Sequence, residues 1–114
     1  MQDHIELSLL LDYYGEFLTD RQRELMQLSV QEDLSLSEIA EIVGISRQGV
    51  RDAVKRGEEQ MRQMEERLKL ISRAQRIGEG LKKLSADIMK LEIPEAEKAR
   101  LTKDLSAVIA AAEE

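Results

Sequence analysis

The apolar residues near the start of the chain repeat at the spacing that places side chains on one face of an α-helix. They are Leu7, Leu10, Leu11, Tyr14 and Leu18. This pattern predicts a first helix over roughly residues 3–17. Similar helical patterns fill most of the 114 residues, which contain a single proline, Pro94. We therefore expect an all-α fold.

A helix-start signal precedes each of the next two predicted helices. Thr19 is followed three residues later by Gln22, and Ser35 by Glu38. In this spacing, known as a capping box, each side chain satisfies a backbone amide of the other residue at the start of a helix. The first signal predicts a second helix over about residues 20–32.

Residues 35–56 carry the pattern of a helix-turn-helix. Two helices that cross closely through a short turn need a small residue at the crossing and a glycine in the turn. Ala40 and Gly44 supply them, after a helix over Leu36–Val43. Ser46 then caps the second helix, which leaves its first turn pointing outward. The inward positions are aliphatic: Ile39, Val43, Ile45, Val50, Ala53 and Val54.

The second of these helices, the predicted recognition helix, has no obvious stop signal before Gly78 and Gly80. Because glycine weakens a helix, we expect a break or bend there. A further helical segment covers Leu81–Leu91. Pro94 suits the first turn of a last helix, since its missing N–H would have no partner there in any case.

The outward face of the recognition helix carries side chains suited to nucleic acid. The first turn of such a helix meets base edges in the major groove. Arginine contacts guanine bidentately and glutamine contacts adenine, which assigns base contact to Arg47, Gln48 and Arg51. We expect phosphate contact from Ser46, Lys55 and Arg56, helped by the helix N-terminus. The alternative is an ordinary solvated helix face.

The net charge of −6 is distributed unevenly along the chain. Residues 1–45 sum to −8, residues 46–90 to +5 and residues 91–114 to −3. Positive charge therefore begins where the recognition helix begins, which is typical of a nucleic-acid-binding surface. Asp52 is an exception on this face, where it could accept from cytosine or form an i, i+4 ion pair with Arg56.

Composition excludes several kinds of site. The chain has no cysteine, which rules out disulfides, thiolate catalysis and cysteine zinc sites. Aromatic residues make up 3%, too few for stacking on single strands. His4 is the only histidine, and no nucleophile–base pair, phosphate loop or metal-ligand spacing occurs. We expect neither enzymatic activity nor a cofactor.

The sequence also predicts a location away from membranes. The longest apolar run, Ala107–Ala112, is far shorter than a membrane span. The first residues lack the basic start and cleavage pattern of a signal peptide. We therefore expect the cytoplasm.

Apolar positions along the recognition helix continue at alternating spacings of 4 and 3, which is typical of a coiled-coil seam. Beyond the helix-turn-helix core, they are Met61, Met64, Leu68 and Ile71. We expect these residues to form a homodimer interface; the alternative is core within one chain. The predicted domains are therefore a helix-turn-helix domain over residues 1–60 and a helical extension over residues 61–114, which forms the dimer.

Three stretches of the sequence resemble the YlxM family of bacterial proteins. They are LDYYGEFLTDRQRE from Leu11, EDLSLSEIAE from Glu32 and GISRQGVRDAVKR from Gly44. The helix-turn-helix part is also similar to the promoter-reading C-terminal domain of sigma factors. The resemblance implies a small, dimeric, cytoplasmic protein that regulates or assists the signal recognition particle pathway. It also matches Ser46, Arg47 and Gln48 to the start of the recognition helix.

Three functions remain open at this point. The first is a regulator that binds duplex DNA, favoured by the helix-turn-helix and its positive helix. The second, implied by the resemblance, is an accessory protein that binds the RNA or the GTPase of the signal recognition particle. A-form RNA has a major groove too narrow for a helix, which argues against groove binding there. The third is a protein-interaction module without nucleic-acid binding, favoured by the acidic first segment.

Overall fold

The computed structural model describes residues 2–112 of the chain, with side chains from His4 onward. This part is all-α, as predicted, and its α-helices are α1 (Gln2–Tyr14), α2 (Asp20–Met26), α3 (Leu36–Val43), α4 (Arg47–Leu68), α5 (Leu70–Met89) and α6 (Glu95–Ala112). A 3₁₀ turn at Gly15–Phe17 follows α1. The second predicted helix is split, because α2 passes into a π-helical turn at Gln27–Gln31.

The chain divides after Ile71 into an N-terminal and a C-terminal unit. The predicted boundary after residue 60 falls inside α4, which runs without interruption over Arg47–Leu68. The whole helix-turn-helix therefore lies in the N-terminal unit, together with the full length of its long second helix.

The N-terminal unit has two hydrophobic clusters. The first buries the predicted face of α1 and contains Leu10, Leu11, Tyr14, Leu18, Met26, Val30, Met61 and Ile71. The second contains Leu25, Ile39 and Val50, all with no exposed surface. Because α2 contributes to both clusters, it ties the helix-turn-helix to α1.

Two contacts of α4 bring it close to its neighbours. Gly57 lies against Met26 of α2, where a Cβ atom on the glycine would come within 3.3 Å of the methionine Sδ. Arg62 forms ion pairs with Glu6 of α1 at 2.7 Å and with Glu58 at 3.0 Å. The hydrogen bond to Glu6 is the main cause that raises the pKa of Arg62. These contacts hold α4 against α1 and α2.

The break predicted at Gly78 and Gly80 was wrong, because both residues lie inside α5. Two helical glycines cost only about 1 kcal/mol each relative to alanine, which neighbouring turns can offset. The chain instead breaks at Lys69, whose φ of 57° is left-handed. Side chains from elsewhere in the fold satisfy the first backbone amides of α5.

The C-terminal unit consists of the rest of α5 and of α6. Pro94 directly precedes α6, and its carbonyl accepts hydrogen bonds from the amides of Glu97 and Lys98. Within residues 72–112, no hydrophobic side chain is buried. Ile77, Leu84, Met89, Leu91 and Val108 each expose about half of their surface. The described part of this unit therefore lacks a hydrophobic core of its own.

Candidate nucleic-acid interface

The start of α3 is fixed by the predicted capping box. Ser35 Oγ accepts from the amide of Glu38 at 3.1 Å, and Glu38 Oε1 accepts from the amide of Ser35 at 3.0 Å. The hydrogen bond from the Ser35 amide favours the carboxylate form and is the main cause that lowers the pKa of Glu38. At the other end, Gly44 has a φ of 80°, and its amide donates to the carbonyl of Ala40. Both predicted ends of α3 are confirmed.

The start of α4 is fixed in the same way. Ser46 Oγ accepts from the amide of Gly49 at 3.0 Å, which is the predicted N-cap. Behind this first turn, Ile39 and Val50 are fully buried, and other aliphatic residues pack on them, among them Val43, Ala53 and Val54. Ile45 departs from the prediction, because it keeps 38% of its surface exposed in the turn.

The residues predicted to contact nucleic acid are all exposed on the opposite side of α4. They are Arg47, Gln48, Arg51, Lys55 and Arg56, with Ser46 at the N-cap. Among the described residues, none of the four cationic side chains takes part in a hydrogen bond or an ion pair. Farther along α4, Arg62 is neutralised by two carboxylates. The first turns of α4 therefore present positive charge that the protein itself does not neutralise.

Asp52 interrupts this positive face. It contacts Gln48 and not Arg56, which was one of the partners considered from the sequence. Its Oδ1 accepts a hydrogen bond of 3.0 Å from Nε2 of Gln48, one turn earlier. The alternative i, i+4 ion pair with Arg56 is absent from the described part of the chain. Asp52, Lys55, Arg56 and Glu59 line one shallow groove on the surface of α4.

Comparison with known proteins places the chain in a family. A family model, UPF0122, described as "Putative helix-turn-helix protein, YlxM / p13 like", matches residues 1–105. The chain belongs to this family. The resemblance expected from the sequence is thereby confirmed, and membership supports a DNA-binding regulatory role.

Relatives of similar length support the assignment. A UPF0122 protein of Thermoanaerobacter sp. is 44% identical over 86 residues, which are 75% of this chain and 74% of that protein. A UPF0122 protein of Acetivibrio thermocellus is 44% identical over 94 residues, covering 76% of this chain and 80% of that protein. One from Clostridium perfringens is 41% identical over 90 residues, covering 79% and 80%.

The residues predicted to form a dimer seam have different surroundings. Met61 is fully buried and Ile71 nearly so, both in the first hydrophobic cluster, and Met64 packs against that cluster. Leu68 keeps 47% of its surface exposed. Met61 and Ile71 are therefore occupied by packing within one chain, which is the alternative that the sequence left open.

The described residues contain neither a candidate metal site nor a candidate membrane-spanning helix. No group of three or more histidine, aspartate or glutamate side chains among them could hold a metal ion. None of the helices in that part is long and apolar enough to cross a membrane. The feature that sequence reasoning missed is the Gln48–Asp52 hydrogen bond, although the i, i+4 spacing of an amide and a carboxylate was a usable signal.

Proposed function

We propose that this UPF0122 protein binds duplex DNA through the first turns of α4 and acts as a transcription regulator in the bacterial cytoplasm. The observation that carries the proposal is a set of four cationic side chains in the first turns of α4, after the Ser46 N-cap. They are exposed and are not neutralised by carboxylates of the described residues. Phosphate attracts such charges, and their counterions are released on binding. The helix-turn-helix geometry directs the same surface into a major groove.

The contacts divide into two kinds. Arg47 and Arg51 are suited to guanine, and Gln48 to adenine. Lys55 and Arg56 are assigned to phosphate. Ser46 Oγ accepts from the amide of Gly49, which does not use its hydroxyl hydrogen, so the hydroxyl can still donate to phosphate. The helix N-terminus adds a partial positive charge at the same place.

The strength of binding follows from the charge. Four phosphate contacts give a slope of log affinity against log salt of about −0.9 × 4. Raising salt fourfold then lowers affinity on the order of 10²-fold. The acidic first 45 residues, with a sum of −8, confine DNA to the α4 side of the protein.

We also propose that the protein acts as a homodimer. The C-terminal unit buries no hydrophobic side chain among its described residues, and so it gains little of the burial that stabilises a folded pair of helices. In a homodimer, the C-terminal unit of a second copy covers these half-exposed apolar side chains. The two recognition helices of the dimer then bind two half-sites, and the affinity of the dimer exceeds that of a single recognition helix.

Binding is tested with a salt series on a duplex that the protein selects from a random pool. Arg47→Ala and Arg51→Ala are each expected to weaken binding by about 5- to 150-fold. Arg67→Ala removes the same charge from the far end of α4 and serves as the matched control, with little effect expected. Equal losses from all three substitutions, or no binding at low salt, would overturn the proposal. Binding to signal recognition particle RNA that ignores Arg47 and Arg51 would favour the accessory role instead.

The dimer is tested by sedimentation equilibrium. Leu84→Glu places a charge on the exposed apolar face of α5 and is expected to shift the protein towards monomer. Lys83→Glu introduces an acidic residue at the adjacent exposed position as a control and should leave the dimer intact. A wild-type protein that remains monomeric at high concentration contradicts the homodimer.

A further inference from the structure

The hydrogen bond between Gln48 and Asp52 lies inside the proposed DNA-binding face. Both side chains are exposed, and Nε2 of Gln48 donates to Oδ1 of Asp52 at 3.0 Å. Asp52 forms this bond instead of an ion pair with Arg56. A carboxylate beside these cations repels phosphate and lowers affinity for every sequence. Its presence there therefore calls for a role in discriminating between bases.

The bond restricts what Gln48 can present to DNA. A free glutamine amide can turn over and offer either its oxygen or its nitrogen to the groove. With one N–H of Nε2 held by Asp52, the orientation of the amide is fixed, and Oε1 is left as an acceptor and the second N–H as a donor. The second carboxylate oxygen of Asp52 is also an acceptor. An ordered pair binds with a smaller loss of side-chain freedom than two mobile side chains would.

Base edges differ in the groups that match such acceptors. In the major groove, adenine presents the N6 amino group and cytosine the N4 amino group, which are donors. Guanine presents only O6 and N7, and thymine presents O4, which are acceptors. Opposite guanine or thymine, the remaining N–H of Gln48 can satisfy one base acceptor, but Oε1 of Gln48 and the free oxygen of Asp52 face acceptors without a partner, which is costly in a desolvated interface.

We propose that Gln48 and Asp52 act as one unit that selects an amino-bearing base, adenine or cytosine, and rejects guanine and thymine at that position. Asp52 is the specificity-determining residue, because it orients the amide and supplies the repulsion. The inference rests on the proposed function, since it names the sequence preference of the same surface. Arg47 and Arg51, which carry no such constraint, read guanine at neighbouring positions.

The experiment selects duplexes from a random pool with the purified full chain and then measures affinity for the selected site and for the three versions that carry another base at one position. The wild type is expected to prefer adenine or cytosine at one position by about 5- to 150-fold. Asp52→Asn keeps the size and removes the charge, and it should bind all duplexes more tightly while losing most of this preference. Gln48→Ala should lose the preference as well, and the double variant should lose no more than either single one.

Glu59→Gln is the matched control. It removes the same charge from the same groove, but Glu59 has no hydrogen bond to Gln48. Affinity for all duplexes should rise while the base preference stays. Retained preference in Asp52→Asn, or an equal loss in Glu59→Gln, overturns the inference while leaving DNA binding intact. Failure of the wild type and every variant to bind duplex overturns the proposed function itself. Since all three residues are exposed, circular dichroism should show unchanged helicity.

Discussion

The hydroxyl of Tyr14 donates a hydrogen bond of 2.6 Å to Oε1 of Glu65 and accepts one of 3.3 Å from the amide of Leu70. The same Glu65 oxygen accepts from the amide of Ile71 at 3.0 Å. The first two amides of α5 therefore find side-chain partners, which a helix start otherwise lacks. Because Tyr14 is fully buried in the first hydrophobic cluster, this arrangement fixes the end of α4 from within the core.

Tyr14→Phe removes the hydroxyl and leaves the ring in place. We expect the free energy of unfolding to fall by about 1–3 kcal/mol, since the Leu70 amide loses its partner in a partly buried position. Tyr13→Phe is the control, because Tyr13 is only half-buried, and its effect should stay within about 0.5 kcal/mol. Urea denaturation followed by circular dichroism measures both. Similar losses from the two variants would contradict the role of the Tyr14 hydroxyl.

Lys69→Gly addresses the backbone at the same junction. Lys69 has a φ of 57°. In this left-handed conformation a residue with a Cβ atom has a steric cost of about 1–2 kcal/mol, which glycine does not have. We therefore expect the substitution to stabilise the N-terminal unit by about 1 kcal/mol and to restore part of the stability lost in Tyr14→Phe. A ³J coupling at residue 69 that reports negative φ in the wild type would disagree with this structure.

Alkaline pH should weaken the fold through Tyr14. Burial is the main cause that raises its pKa, and the hydrogen bond to Glu65 adds to it. A raised folded-state pKa means that the full contribution is present below the pKa of the unfolded chain and is lost as pH rises through the folded-state value. Stability should decline over that alkaline range. In Tyr14→Phe this decline should be smaller, as measured by urea midpoints across pH.

Gly57→Ala tests the close approach of α4 and α2. A Cβ atom at this position would lie 3.3 Å from Cγ and Sδ of Met26, which is itself fully buried. Alanine favours the helix by about 1 kcal/mol, but overpacking costs about 1–3 kcal/mol. We therefore expect net destabilisation of about 1 kcal/mol. Gly80→Ala, where nothing lies within 4 Å, should instead increase helical stability. A gain at both positions would contradict tight packing.

Ser35→Ala removes the cap of α3. Loss of an N-cap hydroxyl costs about 0.5–2 kcal/mol. The hydrogen bonds from Ser35 lower the pKa of Glu38, so this carboxylate stabilises the fold above its unfolded-state pKa and loses that effect as pH falls. Because alanine keeps the backbone amide that is the main cause of the shift, the pKa of Glu38 in Ser35→Ala, followed by NMR, should rise only part of the way towards its ordinary value. Ser37→Ala is the control, because Ser37 lies two residues farther along α3 and does not cap the helix. It should leave the pKa of Glu38 unchanged.

Local signals predicted the parts of the fold that depend on neighbouring residues. The capping boxes at Thr19 and Ser35 and the left-handed turn at Gly44 are formed as the sequence indicated. The exposed position of Arg47 and Arg51 followed as well, because the burial of Val50 on the other side of the helix fixes where they point.

Other features depend on contacts that no short window contains. The end of α4 is set by Tyr14, which lies 51 residues before Glu65 in the chain. The pattern that suggested a dimer seam could not separate two outcomes, since a heptad face buried by α1 and one buried by a second chain have the same spacing. Met61 belongs to the first of these in the structure.

The π-helical turn at Gln27–Gln31 carries one residue more than an α-helix needs over the same rise, as seen where the amide of Glu32 donates to the carbonyl of Gln27. Deleting one residue here would close the ladder into regular α-geometry without moving α3 far. We therefore expect this stretch to tolerate a deletion of one residue.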